Sequence, residues 1–217
     1  MKFDISKIEI AILFFLAIWF QFNATNVNPT LGHIYVAFIL IAAVFLMLDP
    51  KRSIHLKSRY NESTGLAIMK GAVGYIILIL VGGYIIVPGI NAIRAALSAT
   101  TPLLATNPLI NNITFGGAVP IAETIVLFAV ALDLIASFTN TEIGRQSLTK
   151  LKTWGIVIGL SLVFMIFHLT SKGVSNVSTL AVVFFMAIIS FILILWDESY
   201  ESALWFHIIA NLSALLL

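Results

Sequence analysis

Long apolar stretches separated by short polar segments dominate the pattern of this chain. They cover residues 8–22, 31–48, 66–88, 114–138, 154–171, 178–196 and 202–217. Each is close to the roughly 20 residues that a helix needs to cross the hydrocarbon core of a bilayer. The pattern therefore predicts an all-α fold: a polytopic membrane helix bundle with about seven transmembrane helices, in contact with the lipid bilayer.

The composition supports a membrane protein. Hydrophobic residues make up 60% of the chain and charged residues 10%, and the mean hydropathy is +1.05. A soluble domain has about a quarter charged residues. The chain has no cysteine, which excludes disulfides, thiol catalysis and cysteine metal sites. The basic residues lie mainly in short segments between the apolar stretches, so no nucleic-acid-binding surface is predicted.

The distribution of lysine and arginine predicts the orientation. With a cytoplasmic N-terminus, most cations between spans fall on the cytoplasmic side, as the positive-inside rule requires. They are Lys2, Lys7, Lys51, Arg52, Lys57, Arg59, Arg145, Lys150 and Lys152, against Arg94 and Lys172 outside. We therefore expect a multi-pass cell-membrane protein with its C-terminus outside and with loops 49–64 and 139–153 on the same side. The polar stretch 89–113 is either interfacial or re-entrant.

Two opposite charges lie at equal depth in the predicted spans. Lys70 lies about five residues from the cytoplasmic start of its span, and Asp133 lies about six residues from the cytoplasmic end of the next one. Because an unpaired charge at that depth is costly, a structural ion pair between Lys70 and Asp133 is predicted. The alternative is that the Lys70 side chain extends to the interface.

Four further polar residues lie within the late spans. Glu123 is near mid-membrane, where a desolvated carboxyl suits proton transfer, although a protonated glutamate in a packed bundle is equally compatible. His168 lies near the outer end of the next span. His207 and Asn211 are four residues apart, so they share a helix face and can direct two donors at one oxyanion. The alternative for this pair is ordinary hydrogen bonding between helices.

The order of these residues resembles a known family. Pro120-Ile-Ala-Glu123, then Phe164 and His168, then His207 and Asn211 are similar to the motifs of the CAAX prenyl endopeptidases, which include the Abi proteins. Those motifs are Pro-x-x-Glu-Glu-x-x-x-Arg, Phe-x-x-x-His and His-x-x-x-Asn. The resemblance covers residues 113–217, which it implies form a four-helix catalytic-type core. Residues 1–112 would add three N-terminal spans and the interfacial segment.

The resemblance implies an intramembrane endopeptidase that acts on hydrophobic or lipidated peptides. Glu123, helped by His168, would deprotonate a water that attacks a peptide carbonyl, while His207 and Asn211 would hold the oxyanion. No cofactor and no metal are implied. One glutamate and two histidines are also potential zinc ligands, but their spacing is not of the HExxH type.

Two departures from the family pattern open a second interpretation. Thr124 stands where the family has its second glutamate, and Phe128 stands where it has arginine. A catalytically degenerate subunit or scaffold of a larger complex, with other membrane proteins as partners, is therefore the alternative. Helix spacing also places Glu123, His168 and His207 at depths that differ by about 10 Å or more. They converge only if the last span begins deeper, or if helices tilt or break around a cavity. A deeper start would make residues 197–201 a tight, partly buried turn, whereas we expect them to form a solvated loop.

Overall fold

The computed structural model describes residues 12, 16, 38–43, 63–82, 113–172 and 177–216. These residues are helical almost throughout and form no strand. The helices discussed below are α1 (Thr64–Leu80), α2 (Gly116–Phe138), α3 (Leu151–Lys172), α4 (Val177–Asp197) and α5 (Glu201–Leu216). A short 3-10 helix (Arg145–Thr149) lies between α2 and α3. The predicted all-α class is confirmed for the described part of the chain.

Helices long and apolar enough to cross a membrane are present in the described residues. They are α2, residues Leu151–Leu169 of α3, and α4. The helix α1 is apolar but shorter, with 17 residues, and α5 has 16. The first two predicted spans and the segment 89–113 lie outside the described residues, apart from short pieces of the spans. The predicted count of seven spans therefore extends beyond what the structure describes.

Small residues bring α1 against α5. Ala67, Gly71 and Gly74 are buried on one face of α1. A β-carbon added to Gly71 would lie 2.6 Å from the backbone nitrogen of Phe206, and one added to Gly74 would lie 3.3 Å from the Phe206 ring. Such close approach at small residues is a usual packing mode of membrane helices. The helix α1 is thus packed directly onto α5, the last helix.

The central helix α2 is irregular. Its α-helical parts, Val119–Glu123 and Ala131–Phe138, alternate with π-helical segments at Thr114–Ala118 and Thr124–Val130. All seven residues of the second π-helical segment are buried. Because π-helical turns are rare and occur frequently at functional sites, the segment that begins directly after Glu123 marks this part of α2 as a candidate site.

The segment between α2 and α3 lies over the end of α4. The Arg145 guanidinium lies 4.1 Å from the centre of the Trp196 ring, a favourable cation–π contact. Gly144 has a φ of +139°, and a β-carbon there would lie 2.7 Å from the Glu198 carboxylate. Only glycine combines that backbone conformation with such a close approach. The contacts join this segment to the turn that follows α4.

That turn is tight and buried, so the predicted solvated loop at residues 197–201 is wrong. Only residues 198–200 separate α4 from α5, and Asp197 and Ser199 are 5% and 2% exposed. Burial raises the pKa of Tyr200 in the turn, and the neighbouring Glu201 carboxylate raises it further. A run of acidic residues usually indicates a solvent-exposed segment, but here the segment that precedes α3 packs against the turn.

Candidate functional site

Glu123 and His207 meet inside the bundle. Glu123 Oε2 lies 3.5 Å from His207 Nε2, and the two residues are 5% and 1% exposed. The distance is longer than an ordinary hydrogen bond but short enough for one water molecule to contact both atoms. Catalytic contacts are often this loose before substrate binds. Two of the four predicted site residues are therefore brought together from different helices.

Thr124 contacts the other ring nitrogen of the same imidazole. Its hydroxyl lies 3.2 Å from His207 Nδ1, and the threonine is fully buried. If the hydroxyl donates to Nδ1, the ring proton lies on Nε2 and faces the Glu123 carboxylate. The residue that departs from the family pattern is thus placed to set the tautomer of His207.

Phe128, the second departure from the family pattern, also contacts His207. Its ring centre lies 5.8 Å from the His207 ring, 4.7 Å from Phe164 and 5.1 Å from Phe191. Phe128 is fully buried. Where the family pattern has a charged arginine, this chain therefore has an apolar wall that lowers the polarity around the glutamate and histidine.

His168 lies beside that aromatic wall. Its ring centre is 4.4 Å from Phe164, and its Nδ1 is 2.9 Å from the Phe164 carbonyl oxygen in the preceding turn of α3. Since a carbonyl only accepts, Nδ1 donates and the lone pair of the neutral ring lies on Nε2. Phe164 and Phe128 link the two histidines, since the Phe164 ring also contacts Phe128, and Phe128 contacts the His207 ring.

Asn211 lies one helical turn after His207 on α5 and is half-buried. The spacing places it on nearly the same face as His207, as predicted from the sequence. Of the predicted residues, Glu123 and His207 are in contact, and His168 is joined to His207 through Phe164 and Phe128. Asn211 follows His207 by one turn of α5.

Glu123 and His207 meet despite the different depths predicted for them. Lys70 Nζ lies 2.6 Å from Asp197 Oδ1, at the last residue of α4. Lys70 is six residues inside α1, so α5 begins beside the second turn of α1 and not beside its first residue. His207 is six residues after the first residue of α5, and there it meets Glu123.

Lys70 has a partner that the sequence analysis did not name, Asp197. The predicted partner, Asp133, is half-buried and lines an open cavity of about 280 Å³ with Ser137, Thr141 and Glu142. The ion pair of Lys70 with Asp133 stays a prediction beside the contact with Asp197.

Among the described residues, no group of three or more histidine, aspartate or glutamate side chains is arranged to hold a metal ion. No protein-family model, curated protein or solved structure matches the chain. The likeness to the CAAX prenyl endopeptidases therefore depends on the residues of this chain alone, and the geometry of Glu123 and His207 is an independent observation beside it.

Proposed function

We propose that this chain is an intramembrane endopeptidase that hydrolyses hydrophobic or lipidated peptides with a water activated by Glu123. The observation that supports the proposal best is the 3.5 Å approach of Glu123 Oε2 to His207 Nε2. The two residues come from helices distant in sequence, and the resemblance assigns both to catalysis. A carboxylate and an imidazole held together in an apolar enclosure form an arrangement suited to proton transfer.

The reaction follows from these groups. Glu123 takes a proton from water as the water oxygen bonds to the peptide carbonyl carbon. The carbonyl oxygen becomes an oxyanion, to which His207 Nε2–H and the Asn211 amide donate hydrogen bonds. His168 Nε2 accepts a hydrogen bond from the attacking water. The carbon–nitrogen bond then breaks as Glu123 returns its proton to the leaving nitrogen, giving a carboxylic acid and an amine.

The surroundings of the site favour an apolar substrate. Phe128 contacts the imidazole, and the buried rings of Phe164 and Phe191 pack against Phe128. Aromatic walls favour the hydrophobic side chains or the lipid group of a peptide, and they strengthen the electrostatic interactions at the reacting carbonyl by excluding water. For the localisation we propose the cell membrane, with the loops 49–64 and 139–153 facing the cytoplasm, as the positive-inside pattern favours.

A panel of hydrophobic, farnesylated and geranylgeranylated peptides tests the proposal. Purified protein in proteoliposomes is incubated with each peptide, and new termini are identified by mass spectrometry. Cleavage of at least one peptide by the wild type, and its loss in Glu123→Ala and in His207→Ala, is expected. A folded wild-type protein that cleaves none of the peptides contradicts the proposal.

A second function is favoured by the closure of the site. His207 has both ring nitrogens facing groups of its own chain, Thr124 and Glu123, and the residue is 1% exposed. The same geometry suits a catalytically inactive subunit of a larger membrane complex, in which these groups are internal hydrogen-bonding partners. Purification under mild detergent distinguishes the two functions: a stable set of co-purifying membrane proteins together with no turnover supports the subunit.

A further inference from the structure

A second buried polar cluster lies near the α4–α5 turn. Lys70 Nζ donates a hydrogen bond to Asp197 Oδ1, and Ser202 Oγ donates one to Asp197 Oδ2. The Asp197 side chain is 2% exposed, Ser202 is fully buried, and the Lys70 side chain is 29% exposed. We call Lys70, Asp197 and Ser202 the depth triad. One carboxylate thereby joins α1, the end of α4 and the start of α5.

The triad lies directly before the candidate catalytic histidine. Ser202 precedes His207 by five residues, so about 7.5 Å of helix separates their backbones. Gly71, the residue after Lys70, lies against Trp205 and Phe206: a β-carbon on it would be 2.9 Å from Trp205 backbone and side-chain atoms. The contact between α1 and α5 is therefore made by the turn of α5 that ends at His207.

Packing and hydrogen bonding both bear on this depth. The buried face of α1 consists of Ala67, Gly71, Gly74 and Leu78, and Gly71 fits closely against Phe206. Hydrogen bonds to a single carboxylate add fixed directions to that packing. Buried ion pairs add little net stability over apolar residues of similar volume, and in some proteins they specify register instead.

We propose that Lys70, Asp197 and Ser202 are positioning residues that hold α5 at the depth where His207 meets Glu123. The described hydrogen bonds of the triad join its members to one another. Their link to turnover depends on the proposed function, but their effect on the Glu123–His207 contact does not. Removal of the triad leaves the bundle folded while His207 moves away from the carboxylate.

The test replaces the charged pair by apolar residues of similar size, in Lys70→Met/Asp197→Leu. Thermal unfolding reports stability, and nitrogen NMR of labelled imidazoles reports His207, with the resonance assigned by its loss in His207→Gln. A Glu123→Gln protein defines the His207 spectrum without the carboxylate. The matched control is Lys150→Met/Glu142→Gln, which removes an exposed ion pair at 2.7 Å.

If the triad has this positioning role, the double variant stays folded, and its unfolding temperature lies within a few degrees of that of the wild type. Its His207 resonance shifts towards the position seen in Glu123→Gln. The control keeps the wild-type resonance. Peptide hydrolysis by the double variant falls at least tenfold in kcat, with KM changed less than twofold. Lys70→Arg, which retains the charge, recovers most of the kcat and the wild-type resonance.

Two results overturn the positioning role. One is a folded double variant with an unchanged His207 resonance; the other is a double variant that unfolds, since the triad would then act on stability alone. Ser202→Ala, which removes a single hydrogen bond, gives a milder check with the same expected shift of the resonance. If the wild type hydrolyses no peptide, the proposed function fails, whereas the His207 resonance still decides the positioning role.

Discussion

Gly71 of α1 and Phe206 of α5 are in backbone contact: a β-carbon on Gly71 would lie 2.6 Å from the Phe206 nitrogen. Neither partner in that contact can rotate away as a flexible side chain would. Gly71→Ala must therefore push α1 and α5 apart, and we expect it to lower the free energy of unfolding by about 1–3 kcal/mol.

Gly65 provides the matched control for this substitution. It lies on the same helix, and a β-carbon there meets nothing within 4 Å. Gly65→Ala is expected to leave the stability unchanged or to raise it slightly, since alanine is the better helix former. Thermal unfolding in detergent compares the two variants, and equal effects at both positions would contradict the close packing of α1 on α5.

The ion pair of Lys70 and Asp197 predicts a non-additive double-mutant cycle. Removing either partner alone leaves the other charge poorly compensated, and we expect a loss of roughly 2–4 kcal/mol, somewhat below the cost at a fully buried pair because Lys70 keeps partial exposure. Replacing both by apolar residues should recover much of that loss. Unfolding midpoints of the two single variants and the double variant measure the coupling.

The pair of Glu142 and Lys150 is the comparison for this cycle. Its side chains are 86% and 50% exposed, and Lys150 lowers the pKa of Glu142 through a hydrogen bond and its charge. Exposed pairs contribute little to stability, because water screens the two charges. For the surface pair we expect the stability losses of the two single variants to add up in the double variant. The same additivity for Lys70 and Asp197 would show that these two residues are not coupled.

The hydroxyl of Thr124 is predicted to support the site through His207. Thr124→Val keeps the shape of the side chain but removes the 3.2 Å contact with His207 Nδ1. A buried ring nitrogen that loses its partner costs about 1–3 kcal/mol, whereas Thr124→Ser retains the hydroxyl and most of the stability. Imidazole NMR reports whether the tautomer of His207 changes in Thr124→Val, and an identical His207 spectrum in all three proteins would contradict this role.

The site was more predictable than its supporting contacts. Glu123 and His207 are recognisable because a carboxyl or an imidazole in an apolar helix is costly without a partner or a function. The contact of Lys70 with Asp197 was not, since depth along a helix does not specify which helices are neighbours. Three acidic residues lie within 197–201, a pattern typical of a solvated loop, and only the fold shows that Asp197 and Ser199 are buried and that Gly144 lies against Glu198.

The way in which α5 reaches Glu123 was also not predictable in detail. A deeper start of the last helix is one condition for Glu123 and His207 to meet, but no residue pattern in the sequence favours that start over a surface loop. The deciding contacts are long-range: Lys70 with Asp197, and Gly71 with Phe206. A pattern within one helix cannot encode such contacts between distant segments.

The relative sides of the loops can be tested by cysteine labelling, for which the absence of native cysteine is an advantage. Thr64 and Gln146 are exposed near one end of the bundle, and Val177 is exposed at the start of α4. A membrane-impermeant maleimide is expected to label Thr64→Cys and Gln146→Cys from one side, the cytoplasm, and Val177→Cys from the other. Labelling of positions 64 and 146 from opposite sides would exclude the arrangement.

The most direct test of the account is the rate of peptide hydrolysis by Glu123→Gln. This substitution keeps the size and most of the packing of the side chain but removes the base. The account predicts that kcat/KM for the best peptide of the panel falls about a hundredfold to ten-thousandfold, as expected for loss of a general base. Glu142→Gln, the same change at an exposed position, should stay within twofold of wild type. Hydrolysis by Glu123→Gln at the wild-type rate would contradict the central claim.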